Sequence, residues 1–186
     1  SPDRKSMWRS SILLSDTVDA EMRPWPTETR ELDTAEQFIV RSFRRWVQGL
    51  RQNDGGHWSL VWNEFIRHLG EPDGKAALSG FARLVRALQC HARRSITHHQ
   101  PCCPSLCPDE ICIINMIAAC QGRRLSHAHA LAEWMVFPDG IGDLIEAAAQ
   151  VSHFMQRHGF AFPDRSSPAP LSAEGSGALP AYVMIH

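Results

Sequence analysis

Lysine is nearly missing from this 186-residue chain: only Lys5 and Lys75 are present, and the other 17 of its 19 Lys and Arg residues are arginine. Tyrosine occurs once, at Tyr182. Charge of one sign is lacking too, with a formal net charge of −1 and an isoelectric point near 6.8. Without a global field, a strongly basic nucleic-acid binder or a polybasic membrane-surface protein is not expected. Long apolar runs are also scarce. The longest, Ile111 to Cys120, is interrupted by Asn115 and reaches about half of the roughly 20 residues a membrane-spanning helix needs. Ile12-Leu13-Leu14 is too short for the apolar core of a secretory leader and is followed by Asp16 and Asp19, so the expected compartment is the cytoplasm. No GxGxxG, P-loop, GxSxG or kinase pattern occurs, which leaves no recognisable catalytic constellation.

What is present is helical periodicity. Ile39, Phe43, Trp46, Val47 and Leu50 keep a three-and-four spacing after Asp33 or Thr34, and Asn53-Asp54-Gly55-Gly56 ends that stripe. Trp58, Val61, Trp62, Phe65, Ile66 and Leu69 repeat the pattern, as do Leu78, Phe81, Leu84, Val85 and Leu88. Further helices are expected from Pro108 to Cys120, from Ser126 to Phe137, and from Pro138 to His158, where Gly159 is the stop signal. Sustained period-2 alternation is missing, so a sheet has little support. The spacing predicts an all-α, single-domain bundle or orthogonal array of about five or six helices. Three parts are expected: an acidic, poorly ordered arm over 1–33, a helical domain over 34–160 with a Cys/His-rich loop at 98–107, and a Pro/Ser/Gly-rich tail over 161–186. Trp8 and Trp25 are large enough to dock the arm on the domain or on a partner. Ala178 to His186 regains apolar character, which fits a docking peptide, although a frayed end is the simpler expectation.

The chemistry-bearing residues crowd into Cys90 to Cys112, which holds five of the six cysteines and three of the ten histidines. In a reducing compartment such density points to metal or redox chemistry rather than to a disulfide framework. The spacing Cys-x11-Cys-Cys-x3-Cys-x4-Cys lacks the paired CxxC knuckles of zinc ribbons. Cys107 precedes Pro108-Asp109-Glu110 and is the expected N-cap of the next helix. Facing unpaired backbone N–H groups there, its thiol is expected to acidify and to serve as a metal ligand or a reactive cysteine. Cys103, Cys102, His99 and His98 are the next candidate ligands, with Cys90 or His91 approaching from the preceding helix and Cys112 from the following one. Cys120 is read as a core residue. Zinc suits the mixture of Cys and His; an iron–sulfur cluster would use Cys102 or Cys103, Cys107, Cys112 and Cys90. Cys103-Pro104 and Cys107-Pro108 resemble haem-regulatory dipeptides, a third option.

The resulting expectation is a metal-binding regulator or adaptor whose loop stabilises or switches a surface for a protein partner. The alternative is a thiol-dependent enzyme or redox switch, with Cys107 as nucleophile, a loop histidine as base and Cys102 or Cys103 as resolving thiol. A third reading is a helical interaction module with incidental cysteines. Arginine clusters such as Arg41/Arg44/Arg45, Arg83/Arg86 and Arg93/Arg94 are read as solvated helix faces, so nucleic acid is not favoured. His129 and Glu133, one helical turn apart, form a further polar pair.

Overall fold

A computed structural model of the protein describes residues 25–165 and the strand 183–185. The expectations for residues before 25, including Trp8, and for the stretch 166–182 lie outside the described residues. Six α-helices make up most of the remainder: α1 (Thr34–Gln52), α2 (Gly55–Leu69), α3 (Asp73–His91), α4 (Pro108–Gln121), α5 (Leu125–Met135) and α6 (Pro138–Arg157). The all-α reading holds. Among the described residues no helix is long and apolar enough to cross a membrane.

Local chemistry sets the helix ends. Asp33 caps α1 in a reciprocal box with Glu36, whose carboxylate accepts the Asp33 N–H at 2.8 Å. Asn53, at φ 49°, closes α1 in the left-handed region that Asn tolerates. Asp54 then caps α2 by accepting the Gly56 N–H at 2.8 Å. Stripes from α1, α2 and α3 meet in one core around Ile39, Phe43, Phe65, Phe81 and Leu84. Gly140 on α6 backs onto His91 of α3 so closely that a Cβ there would collide, which lets these two helices approach tightly.

Helix α4 is different in kind. From Asp109 to Ala119 every residue is buried, because α4 sits inside the array and packs on both α5 and α6. A helix surrounded by protein needs apolar residues on nearly all sides, which accounts for the run from Ile111 to Cys120, broken only by Asn115, that marks it in the sequence. Its first turn nevertheless carries two buried acids, Asp109 and Glu110.

Packing also extends beyond 34–160. Before α1, Thr29–Glu31 forms a 3-10 turn, Trp25 packs against the core, and Leu32 is buried. Backbone bonds tie this stretch to the Cys/His loop, from Thr29 N–H to Pro104 O at 2.7 Å and from Leu106 N–H to Thr27 O at 2.9 Å. At the other end Phe162 is buried, and Arg165 forms a buried ion pair with Glu36 at 2.7 Å. These residues belong to the packed body, unlike the expectation of an arm up to residue 33 and a tail from 161. Two short strands complete the described residues: β1 (Ile96–His98) and β2 (Val183–Ile185), paired antiparallel with Ile96 opposite Ile185, Thr97 opposite Met184 and His98 opposite Val183.

Candidate functional site

The Cys/His loop is organised by charge. Cys107 is the N-cap of α4, as expected, and its N–H donates to Glu110 Oε2 at 3.1 Å. Arg44, reaching in from α1, forms a two-pronged bond with the same carboxylate, Nε to Oε1 at 2.7 Å and Nη2 to Oε2 at 2.9 Å. Both side chains are shut off from solvent, at 1% and 0% exposure. The guanidinium then spends its remaining donors on loop carbonyls: Nη1 on Cys103 at 2.6 Å and Gln100 at 3.3 Å, Nη2 on Ser105 at 2.6 Å. An isolated buried guanidinium would be prohibitively costly; here every prong of its planar fork meets an acceptor. One arginine therefore fixes the path of the loop from Gln100 to Ser105.

A second arginine–acid pair sits beside it. Arg94 grips Asp109 through two bonds at 2.8 and 2.7 Å and lies 4.3 Å above the Trp134 ring. Its bonds to Asp109 push the guanidinium pKa up, against the opposing effect of burial. The Asp109 carboxylate also accepts the Thr97 N–H at 2.7 Å and the Thr97 hydroxyl at 2.8 Å.

These contacts give β1 an unusual inner edge. Thr97 N–H is taken by Asp109, the Thr97 carbonyl accepts the Cys107 thiol at 3.1 Å, and His99 N–H donates to Glu110 Oε1 at 3.0 Å. The first turn of α4 thus stands where a neighbouring strand would, pairing the backbone of residues 97 and 99. Backbone groups of successive strand residues point to opposite edges, so those of Ile96 and His98 face outward, toward β2. Side chains alternate as well: Ile96 and His98 are buried while Thr97 is half-buried.

The sequence-predicted ligands are dispersed by this arrangement. Cys107 is buried and donates to a carbonyl. Its acidity is opposite to the expectation: burial pushes the thiol pKa up, and the nearby Glu110 charge adds to the rise. Helix-terminus N–H groups alone would favour a thiolate, but a carboxylate already occupies that end of α4. Cys112 is buried in α4, its pKa pushed up to about 12 by burial and then by Asp109. His98 is fully buried and stands edge-on to Phe43 with centroids 6.2 Å apart; its Nε2 has no hydrogen-bond partner among the described residues. Burial lowers the pKa of His98 and of His99. Cys102 is exposed and Cys103 half-buried on the loop, whereas Cys90 is exposed near the end of α3. Among the described residues no group of three or more His, Cys, Asp or Glu side chains is placed to hold a metal ion. Cys120 packs against the core, half-buried, with its pKa pushed up to about 11 by burial.

The arginines that hold the loop are the residues sequence reasoning missed. The sequence pattern places Arg44 and Arg94 on solvated faces, yet one is buried and the other is locked to Asp109. The available signal was the adjacent pair Asp109-Glu110 at the head of an apolar helix, two acids that needed two cationic partners. Away from the loop, His129 and Glu133 lie 3.5 Å apart on the surface. They line an open groove of about 690 Å³ with Arg93, Pro138, Ile141 and Ile145. The chain matches no protein-family model, no curated protein and no solved structure.

Proposed function

We propose that the protein is an interaction module that takes up an extended peptide along the outer edge of β1, and that its own residues Val183–Ile185 serve as the ligand in cis. The carrying observation is the pairing of β1 with β2 on the one edge that α4 leaves open. A strand edge presents unpaired N–H and C=O groups and recruits another strand. Here the edge is short and held rigid from behind by Asp109, Glu110 and Cys107, so little ordering cost remains for an incoming peptide. The sequence joining the packed body to β2 is rich in Pro, Ser and Gly, which suits a tether. A tethered ligand faces its edge at an effective concentration of about millimolar, so a free peptide competes poorly while the tether is intact.

The test uses a chain ended after Arg165 and a fluorescent peptide, Ala-Leu-Pro-Ala-Tyr-Val-Met-Ile-His, copied from residues 178–186. Anisotropy should report binding to the shortened chain and at least about tenfold weaker apparent binding to the full chain. N-methylation at the Val183 or Ile185 position should abolish binding, and at the Met184 position should spare it, because only alternate backbone groups face β1. Failure of the shortened, folded chain to bind the peptide would overturn the reading.

A further inference from the structure

Two thiols stand side by side on the loop that follows β1. Cys102 is exposed and Cys103 half-buried, while the other cysteines of the loop and of the first turns of α4, Cys107 and Cys112, are buried. Their backbone belongs to the arginine clasp: Cys103 N–H closes a turn on Gln100 O at 3.0 Å, and Arg44 holds the carbonyls of Gln100 and Cys103. Any change in the conformation of the Cys102-Cys103 peptide is therefore felt by Arg44 and by His99, which shares Glu110 with it.

We infer that Cys102 and Cys103 form a redox-modifiable dithiol, closed to a vicinal disulfide by a small-molecule disulfide such as glutathione disulfide, and that closure loosens the grip of β1 on its paired strand. The second half rests on the strand-docking reading above. In the first step the Cys102 thiolate attacks one sulfur of glutathione disulfide, forming a mixed disulfide and releasing one glutathione thiolate. In the second the Cys103 thiolate attacks the Cys102 sulfur and expels the other glutathione. The protein loses two electrons and two protons, and one glutathione disulfide becomes two glutathione thiols.

Geometry couples this chemistry to the strand. Neighbouring Cα atoms lie about 3.8 Å apart, short of the roughly 4.4–6.8 Å that disulfides ordinarily span. The eight-membered ring forms only if the peptide between the two cysteines twists. That peptide supplies the N–H bonded to Gln100, and the clasp on the Gln100 and Cys103 carbonyls must shift with it. Strained, accessible disulfides are the readily reduced, regulatory kind, so closure should reverse with a dithiol reductant.

The test takes the full chain through glutathione buffers of rising oxidised fraction, with peptide mass mapping and amide hydrogen exchange read on the same samples. The expected result is a loss of two hydrogens on the peptide carrying Cys102 and Cys103. Exchange at the Ile96 and His98 amides should rise at least tenfold in step with it, and dithiothreitol should reverse both changes. Cys102→Ser should prevent both changes and leave the reduced-state exchange as in the parent. A mixed disulfide that persists, a cross-link through Cys90, or a vicinal disulfide with unchanged exchange would each overturn the inference. Fast exchange at Ile96 and His98 already in the reduced chain would overturn the strand-docking reading and the coupling with it, while the mass shift would still decide the dithiol chemistry.

Discussion

Two arginines bridge distant parts of this molecule, and their surroundings differ as much as surroundings can. Arg44 joins α1 to the loop and to α4 with its side chain 1% exposed, against a Glu110 at 0%. Arg83 joins α3 to α6 through Glu146 at 2.9 Å and Gln150 at 3.0 Å, with the pair 44% and 72% exposed. The bond lengths are alike. What separates the pairs is the fate of a partner left alone: Glu146 would return to water, whereas Glu110 would keep a buried charge together with three loop carbonyls that lose their donor. The α3–α6 contact rests on apolar burial and close backbone approach, so its ion pair is incidental. The loop has few apolar side chains, so its ion pair is its scaffold.

The largest effect that would test this contrast is expected from Arg44→Met. Breaking a buried pair by removing one partner costs about 3–5 kcal/mol, and the loss should appear as a lower urea midpoint. It should also raise amide exchange from His99 to Ser105. Adding Glu110→Leu should recover part of the loss, because the stranded carboxylate is then gone. A midpoint for Arg44→Met within experimental error of the parent would show that the guanidinium is not the scaffold.

Acid should act next, through the same loop. Burial lowers the pKa of His98 and His99 below the ordinary 6.5. Both are therefore neutral in the folded chain where the unfolded chain would begin to bind protons. Their contribution to stability is present above pH 6.5 and is lost as pH falls through the lowered values. His98→Phe keeps the aromatic contact with Phe43, removes the unpartnered Nε2 and should flatten this acid limb. Alkali has the opposite sign. Cys112 is pushed from 9.0 up to about 12, so its contribution is intact below pH 9 and drains as pH rises toward 12. Cys112→Val should flatten the alkaline limb of a stability–pH curve measured by urea unfolding, and a limb unchanged by that substitution would argue against burial as the cause.

The contrast also explains what could be read from sequence. Helices α1, α2 and α3 announce themselves because the signal is local: Ile39, Phe43 and Val47, or Phe81, Leu84 and Leu88, repeat at the spacing their burial demands. The N-cap role of Cys107 was legible for the same reason, from Pro108 and the two acids that follow. The clasp was not, because Arg44 and Glu110 are 66 positions apart and nothing near Arg44 distinguishes it from Arg41, which stays on the surface. Cysteine density was read as convergence on one point. In the fold, Cys107 and Cys112 are buried and Cys102 is exposed. Density along a sequence is a one-dimensional quantity; ligation requires side-chain directions that only the folded loop defines.

The cap itself offers a smaller effect. Cys107 accepts from the first turn of α4 and donates to the Thr97 carbonyl, two roles that a serine hydroxyl can share and a methyl group cannot. Cys107→Ser should stay near the parent, while Cys107→Ala should cost about 1 kcal/mol, the usual loss on removing an N-cap. If both variants lost the same stability, the thiol would be acting by its size and not by its hydrogen bonds. Iodoacetamide at neutral pH should label Cys102 readily and Cys107 and Cys112 slowly, since the latter two are buried.

The smallest effect belongs to the exposed bridge. Arg83→Ala removes the bonds to Glu146 and Gln150, yet exposed pairs of this kind contribute about 0–1 kcal/mol and are screened by salt. The urea midpoint should shift within that range, and the shift should shrink further in molar salt. Gln150 keeps its other bond, from Nε2 to Ala76 O at 2.8 Å, so the α3–α6 contact retains a polar tie without the arginine. A loss from Arg83→Ala as large as that from Arg44→Met would mean that burial is not what distinguishes the two bridges, and the loop would lose its claim to be scaffolded by charge.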